Sequence, residues 1–155
     1  MIRELTPEDR DAIRGMLADC GAFSEEEVEV GLEVFDDGVA GGLDGPYPHF
    51  GLVRDGALCG YVCVGSTPLT AATWHLYWIC VHPSAQRHGC GRALLNHAED
   101  FVRNKGGETL VIETGGRPDY SGQRAFYERN NYKEVGRIPD FYKPGDDGVI
   151  YWRRL

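Results

Sequence analysis

Six residues, Gln86-Arg87-His88-Gly89-Cys90-Gly91, join a strand-like run to an amphipathic helix, and their types suit the binding of an anion. Upstream, Trp74-His75-Leu76-Tyr77-Trp78-Ile79-Cys80-Val81 is rich in aromatic and β-branched residues, which predicts a strand. Downstream, Leu94, Leu95, Ala98, Phe101 and Val102 recur at helical spacing. Two glycines at the turn let the backbone come close to a ligand, because no Cβ intrudes. The first turn of the helix offers unpaired N–H groups and the positive end of its dipole. Arg87 and Arg92 add full charge, and together these features fit a phosphate or pyrophosphate. By itself, a Gly-x-Gly between strand and helix also serves as a plain tight turn. The spacing matches neither a P-loop nor the dinucleotide fingerprint, whose third glycine would fall where Leu94 stands.

The junction resembles the acyl-CoA loop of the GNAT superfamily of N-acetyltransferases, whose pattern is Gln/Arg-x-x-Gly-x-Gly/Ala at the start of a long helix. Gln86, Gly89 and Gly91 occupy its specified positions, after a strand ending Val81-His82-Pro83. A second run, Arg124-Ala125-Phe126-Tyr127-Glu128-Arg129-Asn130-Asn131-Tyr132, resembles the family's Phe/Leu-Tyr-x-x-x-Gly-Phe/Tyr, with Asn131 in place of the glycine. Asparagine is the next best residue for a left-handed turn. The resemblance spans most of the chain. It implies an α/β (α+β mixed) GNAT fold. The central mixed, mostly antiparallel sheet would be flanked by helices and splayed between its fourth and fifth strands, here Trp74–Val81 and Thr109–Glu113.

The activity implied is transfer of an acetyl group from acetyl-CoA, as cosubstrate, to a primary amine of a small molecule or a peptide or protein. On the same resemblance, Ile79, Cys80 and Val81 would align the pantetheine arm through main-chain atoms. Gln86, Arg87, His88, Gly89, Cys90, Gly91 and Arg92 would hold the phosphates. Tyr120 stands near the position where relatives carry a CoA-contacting Asn. Tyr127 would protonate the departing CoA thiolate, a task within reach of a phenol.

Such a reaction also needs a base. A lysine-like amine of pKa about 10.4 is neutral in fewer than about one molecule in a thousand at pH 7. Glu113, at the end of its strand before Thr114-Gly115-Gly116, can take the proton directly or through water. His75 is a second candidate, since histidine is the residue type suited to proton transfer near neutral pH, and Glu33 on the second helix is a third. Cys80 would suit a ping-pong route through an acetyl-thioenzyme. No cationic neighbour is evident to activate it, so direct transfer in a ternary complex is the expectation. Cys20, Cys59 and Cys63 read as buried reduced thiols. The five cysteines contain no Cys-x-x-Cys pair, so neither a disulfide framework nor a metal site is expected.

Composition narrows the setting. A chain of 155 residues, 42% hydrophobic and 26% charged, reads as one domain over 1–155. Its net charge of −8, without a Lys/Arg block, argues against nucleic acid and is compatible with a cationic acceptor. There is no signal-peptide layout and no apolar run of roughly 18 residues, so the expectation is cytoplasmic with no membrane contact.

Along the chain, Ile2–Leu5 predicts a strand and Thr6-Pro7-Glu8-Asp9 a helix start whose apolar face is Ile13, Met16, Leu17 and Cys20. Ser24-Glu25-Glu26-Glu27 predicts a capped second helix, ended by Asp36-Asp37-Gly38 and followed by a loop from Gly41 to Pro48. Phe50–Arg54 and Ala57–Val64 form a hairpin about Asp55-Gly56. Ser121–Arg129 is a helix. Glu134–Ile138 and Val149–Arg153 are strands around a loop, Pro139–Gly148, whose Phe141 and Tyr142 either wall an acceptor pocket or anchor a long hairpin loop. This terminal hairpin also offers a surface for a homodimer. Two other functions suit the same fold: a non-catalytic acyl-CoA sensor, and a protein-interaction domain.

Overall fold

A computed structural model describes residues 1–155. Its elements run β1 (Ile2–Glu4), α1 (Arg10–Asp19), α2 (Glu25–Gly41), β2 (His49–Arg54), β3 (Ala57–Ser66), β4 (Thr73–Val81), α3 (Cys90–Asn104), β5 (Thr109–Gly115), α4 (Ser121–Arg129), β6 (Lys133–Lys143) and β7 (Asp146–Arg154). The strands make one sheet in the order β1-β2-β3-β4-β5-β7-β6. Strands β4 and β5 run parallel and pair only from Thr73↔Thr109 to Leu76↔Ile112, whereas β5 pairs antiparallel with β7 along its whole length. The sheet is therefore mixed and splayed between β4 and β5, as the resemblance implied.

The chain falls into two compact units, Met1–Gly65 with Tyr77–Phe101, and Ser66–Leu76 with Val102–Leu155. In the first, the Thr6 signal gives a 3-10 turn over Pro7–Asp9 ahead of α1. Asp9 accepts the Thr6 N–H at 2.9 Å and two guanidinium bonds from Arg3 at 2.8 Å each. The Arg3 hydrogen bonds hold the Asp9 carboxyl below the usual carboxylate range. Ser24 caps α2 by accepting the Glu27 N–H at 3.2 Å. The apolar faces of α1 and α2 meet in a core of Ile13, Met16, Leu17, Leu32 and Phe35, joined by Tyr61 and Cys80 from the sheet.

The end of α2 corrects the sequence expectation. Asp36-Asp37-Gly38 does not stop the helix, which continues to Gly41 and is ended by Gly42 at φ +65. Gly38 is there for space: a Cβ on it would lie 2.3 Å from His49 Nδ1 and 2.4 Å from the Tyr47 carbonyl oxygen. The expected loop from Gly41 accordingly begins as a 3-10 turn over Gly42–Asp44. The Asp55-Gly56 hairpin forms as read, with both residues at positive φ and Arg54 opposite Ala57.

In the second unit, β7 lies between β5 and β6 and pairs antiparallel with both, and α4 spans the residues that its pattern predicts. The loop expected over Pro139–Gly148 is instead mostly strand. Strands β6 and β7 extend to meet at Lys143↔Asp146, across Pro144-Gly145, a turn-forming pair that ends the hairpin. Phe141 and Tyr142 therefore lie on β6, with Phe141 packed over Gly148. The irregular register between Ile138 and Lys143 is closed by side chains: Asp147 Oδ1 accepts the Asp140 N–H, and Asp140 Oδ1 accepts that of Gly145.

His49 gives this fold a pH signature. It is buried, its Nδ1 is 2.7 Å from the Tyr47 carbonyl, and its ring stacks on Tyr61 at 6.1 Å. Burial lowers it from 6.5 to about 4. Between those values the unfolded chain binds more protons than the folded one. Stability is therefore full above pH 6.5 and falls as the pH drops toward 4, by up to about 3 kcal/mol. His97, lowered by burial, acts with the same sign. Denaturant melts at pH 7.5 and 4.5 should show this loss, and His49→Phe should reduce it.

Candidate functional site

The glycine turn is built by three consecutive devices. After a 3-10 turn over Pro83–Ala85, Gln86 is extended and its side-chain amide donates to the Val81 carbonyl at 3.1 Å. This bond ties the turn to the end of β4. Arg87 then adopts φ +64 and Gly89 φ +77, while His88 Nδ1 is 2.8 Å from the Gln86 carbonyl. A left-handed arginine costs roughly 1–2 kcal/mol, so the turn holds a conformation that its residues would not choose alone.

Helix α3 starts at Cys90, and the Ala93 N–H bonds to the Gly89 carbonyl at 3.0 Å. The N–H groups of Cys90, Gly91 and Arg92 precede it in the first turn and have no acceptor within the helix. A Cβ on Gly89 would meet nothing within 4 Å, so the space over the turn is open. Arg87, His88 and Arg92 are exposed beside it. Beneath, Leu94, Leu95 and Ala98 are fully buried and fix the helix to the sheet. Cys90 is buried and faces Cys59, whose thiol is pushed up by burial first and by Cys90 second. Among the residues expected to hold phosphate, Cys90 thus contributes its backbone and fills space with its side chain. An N-terminal cradle of this kind fits the phosphates of CoA.

On β4, Ile79 and Val81 are half-buried and Cys80 is buried. The Cys80 thiol lies 3.9 Å from the Met16 carbonyl of α1, an oxygen that also accepts the Cys20 N–H at 3.1 Å. The two thiols meet there. A hydrogen bond from Cys80, aided by the Ala22 backbone, lowers the Cys20 thiol to about 6 against burial. The Cys20 contact and burial push Cys80 well up. Cys80 therefore stays protonated, and Cys20, expected as a buried reduced thiol, is instead half-buried with its thiol lowered. The available signal was its place on the apolar face of α1, four residues after Met16. His82 is turned to Asp19, at 3.3 Å.

In the second unit the two base candidates come together. His75 Nε2 and Glu113 Oε1 are 4.0 Å apart, with His75 largely covered and Glu113 half exposed. Glu33 belongs to the other unit, on α2. Tyr127 is buried among Phe126, Tyr132 and Tyr151, with ring centroids 5.6, 6.2 and 5.8 Å away. Burial raises its phenol, which keeps its proton throughout the physiological range.

The helix end after Tyr127 is made by Asn131 at φ +69, with the Tyr132 N–H returning to the Tyr127 carbonyl at 3.0 Å. The left-handed asparagine expected from the sequence is present. Tyr120 immediately precedes α4, against Gly115 and under the Arg117 guanidinium at 5.5 Å. No group of three or more His, Cys, Asp or Glu side chains is arranged to hold a metal ion. No helix is long and apolar enough to cross a membrane.

The profile of the acetyltransferase (GNAT) family matches residues 10–132. The [ribosomal protein bS18]-alanine N-acetyltransferase of Escherichia coli K12 is 33% identical over 102 residues, covering 66% of this chain. The match spans 65% of the length of that relative. A crystal structure of a GNAT-family acetyltransferase from Desulfovibrio desulfuricans superposes with a TM-score of 0.94 at 36% identity, covering 99% of this chain and 98% of that one. The PaiA N-acetyltransferase of Thermoplasma acidophilum, solved with coenzyme A, superposes at 0.76 with 20% identity, covering 100% and 98%.

The thiol geometry has a direct consequence. At pH 7 and limiting iodoacetamide, Cys20 should be alkylated ahead of the other four cysteines, with Cys80 among the slowest, as read by peptide mass mapping. Preferential labelling of Cys80 would reverse the assignment.

Proposed function

The chain belongs to the acetyltransferase (GNAT) family, and from that premise we propose that it is an acetyl-CoA-dependent N-acetyltransferase. Residues 1–155 act as one domain that transfers the acetyl group directly to a primary amine in a ternary complex. The observation that carries this reading is the turn into α3, where Arg87 and Gly89 in left-handed conformation precede the open N–H groups of the helix. The coenzyme A bound by the relative from T. acidophilum supports the donor.

In this reading the turn over Arg87–Arg92 takes the pyrophosphate, and Tyr120 borders the donor. The main chain of Ile79, Cys80 and Val81 aligns the pantetheine arm and supplies an N–H to the oxyanion. Glu113 removes the acceptor's proton, which its partial exposure lets it return to water. Tyr127 donates to the sulfur as the C–S bond breaks. For unperturbed groups, moving a proton from a phenol at about 10 to a thiolate at about 8.5 is uphill by roughly 2 kcal/mol, and burial of Tyr127 adds to that cost. Tyr127 thus acts chiefly as a strong hydrogen-bond donor, completing the transfer only as negative charge reaches the sulfur. The protonated Cys80 supports direct transfer over an acetyl-thioenzyme. The E. coli relative, whose name gives an alanine of a ribosomal protein, makes a peptide α-amine the first acceptor class to try.

Thermal-shift titration with acetyl-CoA, followed by an amine panel with thiol detection, tests the reading. Stabilisation with CoA release is expected, whereas stabilisation without release from any amine would favour a sensor. Tyr127→Phe should lower kcat by about 10²-fold or more with little change in acetyl-CoA affinity. Gly89→Glu should abolish acetyl-CoA stabilisation, through left-handed strain and repulsion of the phosphates. Retained affinity would remove the turn from the donor site.

A further inference from the structure

Glu113 is half exposed near the end of a strand, where a glutamate side chain samples many rotamers. A base in that place needs something to aim it. His75 stands opposite Val111 in the β4–β5 register, and Glu113 lies two residues beyond Val111 on the same face of the sheet. The ring presents Nε2 to Glu113 Oε1 at 4.0 Å, a separation that a small side-chain rotation or one water closes.

The other ring nitrogen is fixed. His75 Nδ1 is 2.7 Å from Thr67 Oγ1. Thr67 is itself held in the β3–β4 connection: its N–H donates to the Thr73 carbonyl at 2.9 Å, and its carbonyl accepts the Thr70 hydroxyl at 2.8 Å. The tautomer follows from charge. With Glu113 ionised, a lone pair on Nε2 would face a carboxylate, whereas an Nε2–H would be attracted to it. For a neutral ring this favours the tautomer with its proton on Nε2, in which the Thr67 hydroxyl donates to Nδ1.

We infer that Thr67 and His75 are positioning residues for Glu113. They hold one carboxylate oxygen by an Nε2–H that a threonine hydroxyl keeps in place, and leave the other oxygen to receive the proton of the acceptor ammonium. In that step the N–H bond of the ammonium breaks and the O–H bond of Glu113 forms. The amine lone pair is freed for attack, and His75 neither gains nor loses a proton. This inference rests on the N-acetyltransferase reading and deepens it. The two base candidates become one unit, and Thr67 joins them.

The test uses the intact chain. Long-range ¹⁵N–¹H spectra of His75 at pH 7.5, without acceptor, should show a pyrrole-like Nε2 and a pyridine-like Nδ1, and Thr67→Val should mix the tautomers. In steady-state assays with an amine from the panel, Thr67→Val should lower kcat roughly tenfold and leave the KM for acetyl-CoA unchanged. Thr67→Ser, which restores the hydroxyl, should recover most of the loss. A merely structural threonine predicts the reverse order, since valine keeps the β-branched shape that serine lacks.

Wild-type turnover by Thr67→Val, or a proton on Nδ1 in the wild-type chain, would overturn the inference while acetyl transfer stood. Absence of turnover with every amine would count against the acetyltransferase reading and the positioning role with it. The tautomer needs no acceptor, so it tells that failure apart from a failure of the Thr67 contact.

Discussion

Strands β4 and β5 share hydrogen bonds only over Thr73–Leu76 and Thr109–Ile112, and β4 runs on for five residues without that neighbour. Interior N–H and C=O groups left without partners cost roughly 1–3 kcal/mol each, so a sheet opens only where water or a ligand replaces the lost bonds. Strand β5 keeps its other edge fully paired with β7, which holds it in order where it leaves β4. A parallel pair also needs a crossover between its strands, and here that crossover is α3. Its N-terminus must follow the free end of β4. Topology thus brings an anion-binding helix end and an unpaired strand edge together in sequence, before any side chain is chosen.

On the proposed reading, donor binding and proton transfer have different carriers. The donor end is made of main chain: a strained turn at Arg87 and Gly89, the first N–H groups of α3, and the edge of β4. Side chains serve mostly to support it, as Gln86 ties the turn to Val81 and Leu94 and Leu95 seat the helix. The groups proposed to handle protons are side chains of the second unit, and their environments differ sharply. Tyr127 is enclosed by aromatic rings that keep it neutral, whereas Glu113 remains open to water. In the proposed roles, the group that holds its proton until late is shielded, and the one that takes and releases a proton stays solvated.

Local chemistry made much of this legible in the sequence. Asp55-Gly56, the Ser24 cap, the bounds of α4 and the left-handed Asn131 each depend on a few adjacent residues, and each forms as read. The failures share a cause. Gly38 looks like a helix stop until His49 and Tyr47 are brought against it by β2. Pro144-Gly145 is the exception, a local turn signal inside a span that reads as loop, and it leaves Phe141 and Tyr142 on a strand. The acidity of Cys20 depends on a thiol sixty residues away, and Thr67 acquires meaning only when the β3–β4 connection folds it onto His75. Contacts across long sequence separations have no local signature. The glycine turn carried enough pattern to name the family, whereas the grouping of Glu113 with His75 needed the strand register.

A strand that serves through its amides leaves little imprint on side-chain chemistry. On the proposed reading, Ile79, Cys80 and Val81 can be exchanged for other β-formers while the same N–H and C=O groups stay in place. An alanine scan would record only packing losses there, such as that of the Cys80 thiol against α1, and the strand would pass for scaffold. Replacing a single amide by an ester would expose its part in the reaction. The same property frees this segment to drift, so enzymes that use one acyl donor can diverge along the strand that aligns it and still keep the donor.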